Sequence, residues 1–400
     1  MSDVLLDALD DASTDKELFD AASAIVAVPK VPGKEFSDAS FILHAPLEIC
    51  ARYFLLPLVE DEYVQQARKQ IRLTAKKYFE YENADLPSHS ESASYSAPAS
   101  HSEASAEESP RSGESEILHS VQDDVMNIDI PQWSTSLLFA SHAPILLALQ
   151  NVLGETNTSV HSVLNRMNKE IIRNHDAQMR WAKSTPVQQD ISADLLEHPQ
   201  HWFVENVGNI NRVEGGDGPI RTSVERVEAA GMIEPLIEIL GSIANFSERA
   251  NFEIPFQSLM RVSAFSMIAE SEEHAKYGWT HCLTIPHAMW VLSAQSQSSG
   301  RLLQAATTHA ATFRALLCEQ KLSVDNLEEY FEPDEHAVFA EHYVRITDII
   351  SEACAMEDAH LVKYTYSCFD CMKRDPRYSK LYIAAAGKLL ALWQEDSSSS

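Results

Sequence analysis

The sequence predicts an all-α fold, and three observations carry the prediction. Glycine is scarce, with 12 in 400 residues. The two-residue alternation of Val, Ile and Thr that marks strands is nearly absent. Apolar residues, 45% of the chain, recur instead at helical spacing between short connections. That much apolar material can build a large core, so the expectation is a large multi-helix bundle or array with a disordered Ser-rich insertion.

The elements follow in order. Residues 4–28 read as two short helices split near Ser13-Thr14-Asp15, and residues 29–34 as a loop. The apolar run FILHAPLEICARYFLLPLV is expected to break at Pro46 and Pro57, because proline has no amide to donate and clashes with the preceding turn. Residues 60–81 read as an amphipathic helix with Tyr63, Ala67, Ile71, Thr74 and Tyr78 on one stripe.

Composition then shifts. Residues 84–130 are rich in Ser, Glu, Ala and Pro without periodicity, and cannot bury enough surface to offset their ordering entropy. The text HSEASAEESPRSGESEILHSVQDDVMN also resembles a translated interspersed repeat, which implies an insertion between two helices of one domain. The expected organisation is residues 1–83 and 131–395 as one all-α domain around that insertion.

Helical patterns resume with SLLFASHAPILLALQNVLG, closed by Gly154, and continue through residues 158–175, 222–243 and 256–270. Four more helices are expected over 301–322, 333–356, 357–373 and 378–393. The Gly cluster at 215–218 lacks the Lys-Ser/Thr ending of a phosphate loop and reads as a turn.

Several classes are excluded. A net charge of −28 repels nucleic acid and anionic membrane. No apolar stretch long enough to span a bilayer is free of charges and proline, so no transmembrane helix is expected. The acidic start MSDVLLDALDDASTDKELFD does not read as a signal peptide, so a cytoplasmic location is expected. The cysteines are thinly spread on apolar helical patterns, a reduced usage, and Cys368-x-x-Cys371 reads as core thiols.

The chemistry concentrates in residues 271–292, SEEHAKYGWTHCLTIPHAMWVL. Helical periodicity would put His274, Tyr277 and His281 on one face, with a kink or an end at Pro286. His44 and His142 share a context, H-A-P before an apolar helix, and read as structural caps or as site residues. His309 lies in the small-residue helix LLQAATTHAATFRALL. His360 and Lys363 are one turn apart in HLVKYTYSCFDC; such a Lys is either a snorkelling surface residue or a site group. Glu357 to His360 has the E-x-x-H spacing of a metal-binding bundle, but no second copy accompanies it, so no metal ligand is expected.

SHAPILLALQNVLG resembles the H-x-P helix found early in the questin oxidase-like family. YGWTHCLTIPHAMWVL followed by LLQAATTHAA is similar to that family's His-bearing helix and the helix after it. HLVKYTYSCFDCMKRDPRYSKLYIAAAGKLL is similar to its C-terminal His-x-x-Lys and Ala-rich helices. The resemblance covers scattered parts of residues 141–390, and where the family tends to carry a second His before His281, this chain has Tyr277. It implies an all-α oxidoreductase acting on polycyclic aromatic ketones by oxygen insertion and ring opening. NADPH is the cofactor it suggests; the residues themselves name none. It would set His142, His281, His309 and His360 around one apolar pocket, with Lys363 beside them.

The resulting expectation is a His-lined site for a small aromatic ketone or phenol. His281, His142 and His360 would be catalytic; His309, Tyr277, Trp279, Lys363 and His44 would bind substrate. The alternatives are a non-catalytic all-α small-molecule-binding protein that retains the fold, and a carboxylate/His metal-dependent oxidase. The sequence names no oligomeric state.

Overall fold

Thr14 and Glu17 show how the first helices are set. The Glu17 amide donates to Thr14 Oγ1 at 3.2 Å, and the Glu17 carboxylate accepts from the amides of Ser13 and Thr14, both at 3.0 Å. This reciprocal capping box closes α1, Ser2–Asp11, and opens α2, Asp15–Val26. The Ser13 hydroxyl and these amides pull the Glu17 carboxyl down to about 2.

The computed structural model describes residues 2–26, 36–81, 193–213, 226–227, 229–231, 252–293, 299–333 and 335–399. Among them every regular element is helical, and the fold is an all-α, multi-helix array. The expected insertion at 84–130 and the helices expected at 131–175 lie outside the described residues.

α3, Phe36–Leu55, and α4, Asp61–Glu80, follow the N-terminal pair. Two short helices, α5 (Ala193–Glu197) and α6 (Pro199–Phe203), precede the C-terminal group. That group is α7 (Glu253–Ala269), α8 (Thr280–Ser293), α9 (Ser299–Leu317), α10 (Val324–Glu328), α11 (Glu335–Ala355), α12 (Ala359–Arg374) and α13 (Ser379–Ser399).

At Pro46 the expected break, and at Pro286 the expected helix end, are absent. α3 runs through Pro46 and α8 through Pro286. Each proline costs its helix about 3 kcal/mol. Around Pro286, however, Cys282, Leu283, Ile285, Ala288, Met289 and Trp290 are all buried, and burial of such side chains contributes about 1.5–3 kcal/mol each for the larger ones. Packing therefore outweighs the lost hydrogen bond. α13 likewise continues to Ser399, past the expected end at residue 393.

α12 is the centre of the array. Its residues from Leu361 to Met372 are buried on every side except Tyr366, and α3, α7, α8, α11 and α13 pack around it. An ordinary surface helix buries one stripe; one buried all round belongs to the interior. Lys363 is therefore not a snorkelling surface residue: it is 3% exposed.

Buried arginines tie the helices together. Arg52 on α3 donates to Glu48 at 2.6 and 2.9 Å and to the carbonyls of Cys354 and Met356 at 2.6 and 2.7 Å, closing the end of α11. Arg314 on α9 pairs with Glu270 and donates to the carbonyls of Gly208 and Gln320. Glu270 in turn accepts from the amides of Glu319 and Gln320.

Candidate functional site

Three helices from distant parts of the chain bring basic side chains together inside the array. His44 comes from α3, His281 from α8, and His360 and Lys363 from the first turns of α12. Asp358 caps α12 by accepting from the Leu361 amide at 2.7 Å, which fixes the rotation that points His360 and Lys363 inward. Lys363 Nζ lies 2.6 Å from His44 Nδ1. The ring centres of His44 and His360 are 4.6 Å apart, those of His281 and His360 5.3 Å, and those of His44 and His281 6.3 Å. His309, on α9, stands behind Phe313, whose ring centre is 4.8 Å from His309 and 6.2 Å from His281.

Burial sets the electrostatics. It brings the Lys363 ammonium from 10.5 down to about 7, against the charges of Asp358 and Glu48, which favour the cation. A near-neutral lysine beside His44 Nδ1 can give up its proton or keep it within the physiological range. Burial likewise holds His281 well below the usual imidazole range, with His360, Lys363 and His309 adding repulsion. His360 is lowered by burial and partly supported by Asp358, while His309 is brought down to about 3 by burial alone. Burial thus favours the neutral imidazole at His281, His360 and His309. His281 Nδ1 and His309 Nε2 are buried with no hydrogen-bond partner among the described residues.

Several expected site residues are placed differently. His274, Tyr277 and His281 do not share a helical face: His274 ends a 3-10 turn, Glu272–His274, and a π-helical turn, Ala275–Trp279, precedes α8. The wider π turn shifts the register, so Tyr277 is 58% exposed while His281 is 4% exposed. Tyr277 still meets the cluster, edge-on to His360 with ring centres 5.1 Å apart. Trp279 is two residues from His281 and points to the opposite side, into the core, where the Arg314 guanidinium sits 5.5 Å from its ring. It packs the core instead of lining the cluster. His142 lies outside the described residues.

The E-x-x-H spacing does not produce a ligand pair. Glu357 precedes the cap of α12, is largely exposed and faces Lys77 at 3.9 Å, whereas His360 turns inward. Among the described residues no three His, Cys, Asp or Glu side chains are placed to hold a metal ion. His287, the third histidine of the central stretch, pairs at 3.0 Å with Asp370, which also takes Arg374 at 2.6 Å and Lys373 at 3.1 Å. That arrangement satisfies a buried carboxylate and ties α8 to α12. The six cysteines are free and buried.

Sequence reasoning missed Glu48, Asp358 and Phe313. Glu48 had a signal: His44, Glu48 and Arg52 recur at four-residue spacing, an ionisable ladder inside an apolar run. The Glu48 carboxylate, held by Arg52 and by the Thr74 hydroxyl at 3.2 Å, supplies fixed negative charge beside Lys363 and His360.

No helix among the described residues is long and apolar enough to cross a membrane. Comparison of the chain with protein-family models, with curated proteins and with solved structures finds no match in any of the three.

Proposed function

We propose that the chain is an oxidoreductase of the questin oxidase-like type, acting on a polycyclic or aromatic ketone or phenol at the cluster of His44, His281, His360 and Lys363. The observation that carries this reading is the convergence of three imidazoles on a buried lysine amine that burial brings down to about 7. Such groups take a proton from a phenol or enol and return one to a developing alkoxide near neutral pH. Lys363 exchanges its proton with His44 Nδ1, and His360 stands next to that pair. Phe313 and Tyr277 offer aromatic surface for a planar ring. The free, buried cysteines suit a reducing compartment such as the cytoplasm.

NADPH does not fit the described part of the cluster. Lys363 is already bonded to His44, and Arg52 is taken up by Glu48 and two carbonyls, so three phosphates find no partner there. The second reading, a metal-dependent oxidase, would use the same imidazoles, which are donors that suit first-row transition metals. As placed, the described groups do not hold an ion.

A panel of hydroxylated polycyclic ketones tests the proposal, with binding read by ligand-detected NMR and products by mass spectrometry in air. The expected result is binding by the wild type, and product formation that is lost in His281→Gln and in Lys363→Met while binding is retained. Binding without product leaves a non-catalytic binding protein, and no binding overturns the site. Stoichiometric metal that is lost on His360→Ala establishes the second reading.

A further inference from the structure

Exposure falls in steps along one line of side chains. Tyr277 is 58% exposed, the His360 side chain 11%, and His281 and Lys363 4% and 3%. The Tyr277 ring stands edge-on to His360 on one side and to Trp393 on the other, with centre distances of 5.1 and 6.2 Å and both planes at 89°. The ring is thus held between two aromatic edges, one of them His360, the most exposed member of the cluster.

The backbone beneath it is fixed. The Thr280 hydroxyl donates to the Tyr277 carbonyl at 2.9 Å, with the Lys276 carbonyl as its longer alternative at 3.2 Å. At Gly278 even a Cβ would come within 2.3 Å of Leu317 Cδ1, so the turn lies flush against the end of α9. With the turn fixed in this way, the Tyr277 side chain is the movable part at this point, through rotation about its χ angles. π turns inside helical segments are recurrently functional, and here the turn puts an aromatic residue outside a face that α-helical periodicity would have buried.

We infer that Tyr277 is the specificity-determining gate of the imidazole–lysine cluster, swinging aside to admit a planar aromatic ligand and then packing against its ring. The inference rests on the cluster being the functional site. The chemistry of the gate selects the ligand: a phenol ring that leaves two aromatic edges is repaid by stacking only if the entering molecule is itself flat and aromatic. Compact aliphatic ketones gain nothing from displacing it.

Access can be measured without turnover, so failure of the gate is distinguishable from failure of the proposed reaction. The probe is diethyl pyrocarbonate, which acylates neutral imidazoles, with sites read by peptide mass spectrometry. His201, exposed at the surface, is the internal reference, and the deeply buried His309 reports any loosening of the fold. Tyr277→Ala is expected to speed acylation of His360 several-fold relative to His201 while His309 stays protected. Tyr277→Trp is expected to slow it. An unchanged His360 rate in Tyr277→Ala overturns the gate. If His309 reacts in that variant, the comparison of wild type with Tyr277→Trp decides, and a rate that is not slower overturns it.

Discussion

Lys363 is the residue whose behaviour departs furthest from its type. The native state releases its proton at about 7, while the unfolded chain holds it until about 10.5. Between those values the unfolded state binds more protons, so stability rises with pH, by up to about 1.4 kcal/mol per unit. The buried thiols act in the opposite sense above about 9, where the unfolded chain ionises them first and stability falls. The clean window is therefore about pH 7 to 9. Urea titrations across it should show a positive slope of unfolding free energy in the wild type that flattens in Lys363→Met; equal slopes would mean that Lys363 titrates normally. His44, His281, His360 and Lys363 were legible in the sequence because ionisable groups are rare inside apolar helices, and each one there needs a reason. The shared face of His274, Tyr277 and His281 was misread because Tyr277 lies in a π turn, where the assumed 3.6-residue period fails.

Helix positions came through well where pattern and caps agreed. The stripe on α4 is buried at Ala67, Ile71, Thr74 and Tyr78, as the spacing predicted, and the split between α1 and α2 falls at the Thr14–Glu17 box. Pro46 as a break and Pro286 as a helix end were overread, because a local rule cannot see the tertiary burial that offsets it. The tie between α3 and the end of α11 was also illegible, since nothing local links Arg52 to Cys354 and Met356, some three hundred residues away. That tie yields a prediction at the level of the element. Arg52→Met leaves Glu48 buried without a cation and two carbonyls without a donor, which should cost about 3–5 kcal/mol. The double variant Arg52→Met with Glu48→Met should recover most of that loss, as read from urea midpoints. A single variant as stable as the wild type would show that the pair contributes nothing.

Composition carries one expectation for the whole molecule that the described residues leave to experiment. Deleting residues 86–115 should shift the melting temperature by less than about 2 °C, because a Ser-rich segment of this kind supplies no apolar core. A large drop by calorimetry would show that the segment packs. The all-α class and the C-terminal helices were readable from periodicity, whereas the pairing of helices was not, because complementary apolar faces do not name their partners. The bond between His44 and Lys363 spans 319 residues of sequence. On a ribosome adding about 5–20 residues per second, α3 emerges roughly 15 to 60 s before the helix it must grip. For that interval its apolar flank has no native partner on α12, and the nascent chain depends on holdases or on provisional contacts to stay out of aggregates. The cluster is complete only once α12 is released, so a polypeptide stopped short of α12 lacks His360 and Lys363, however much of the array it already contains.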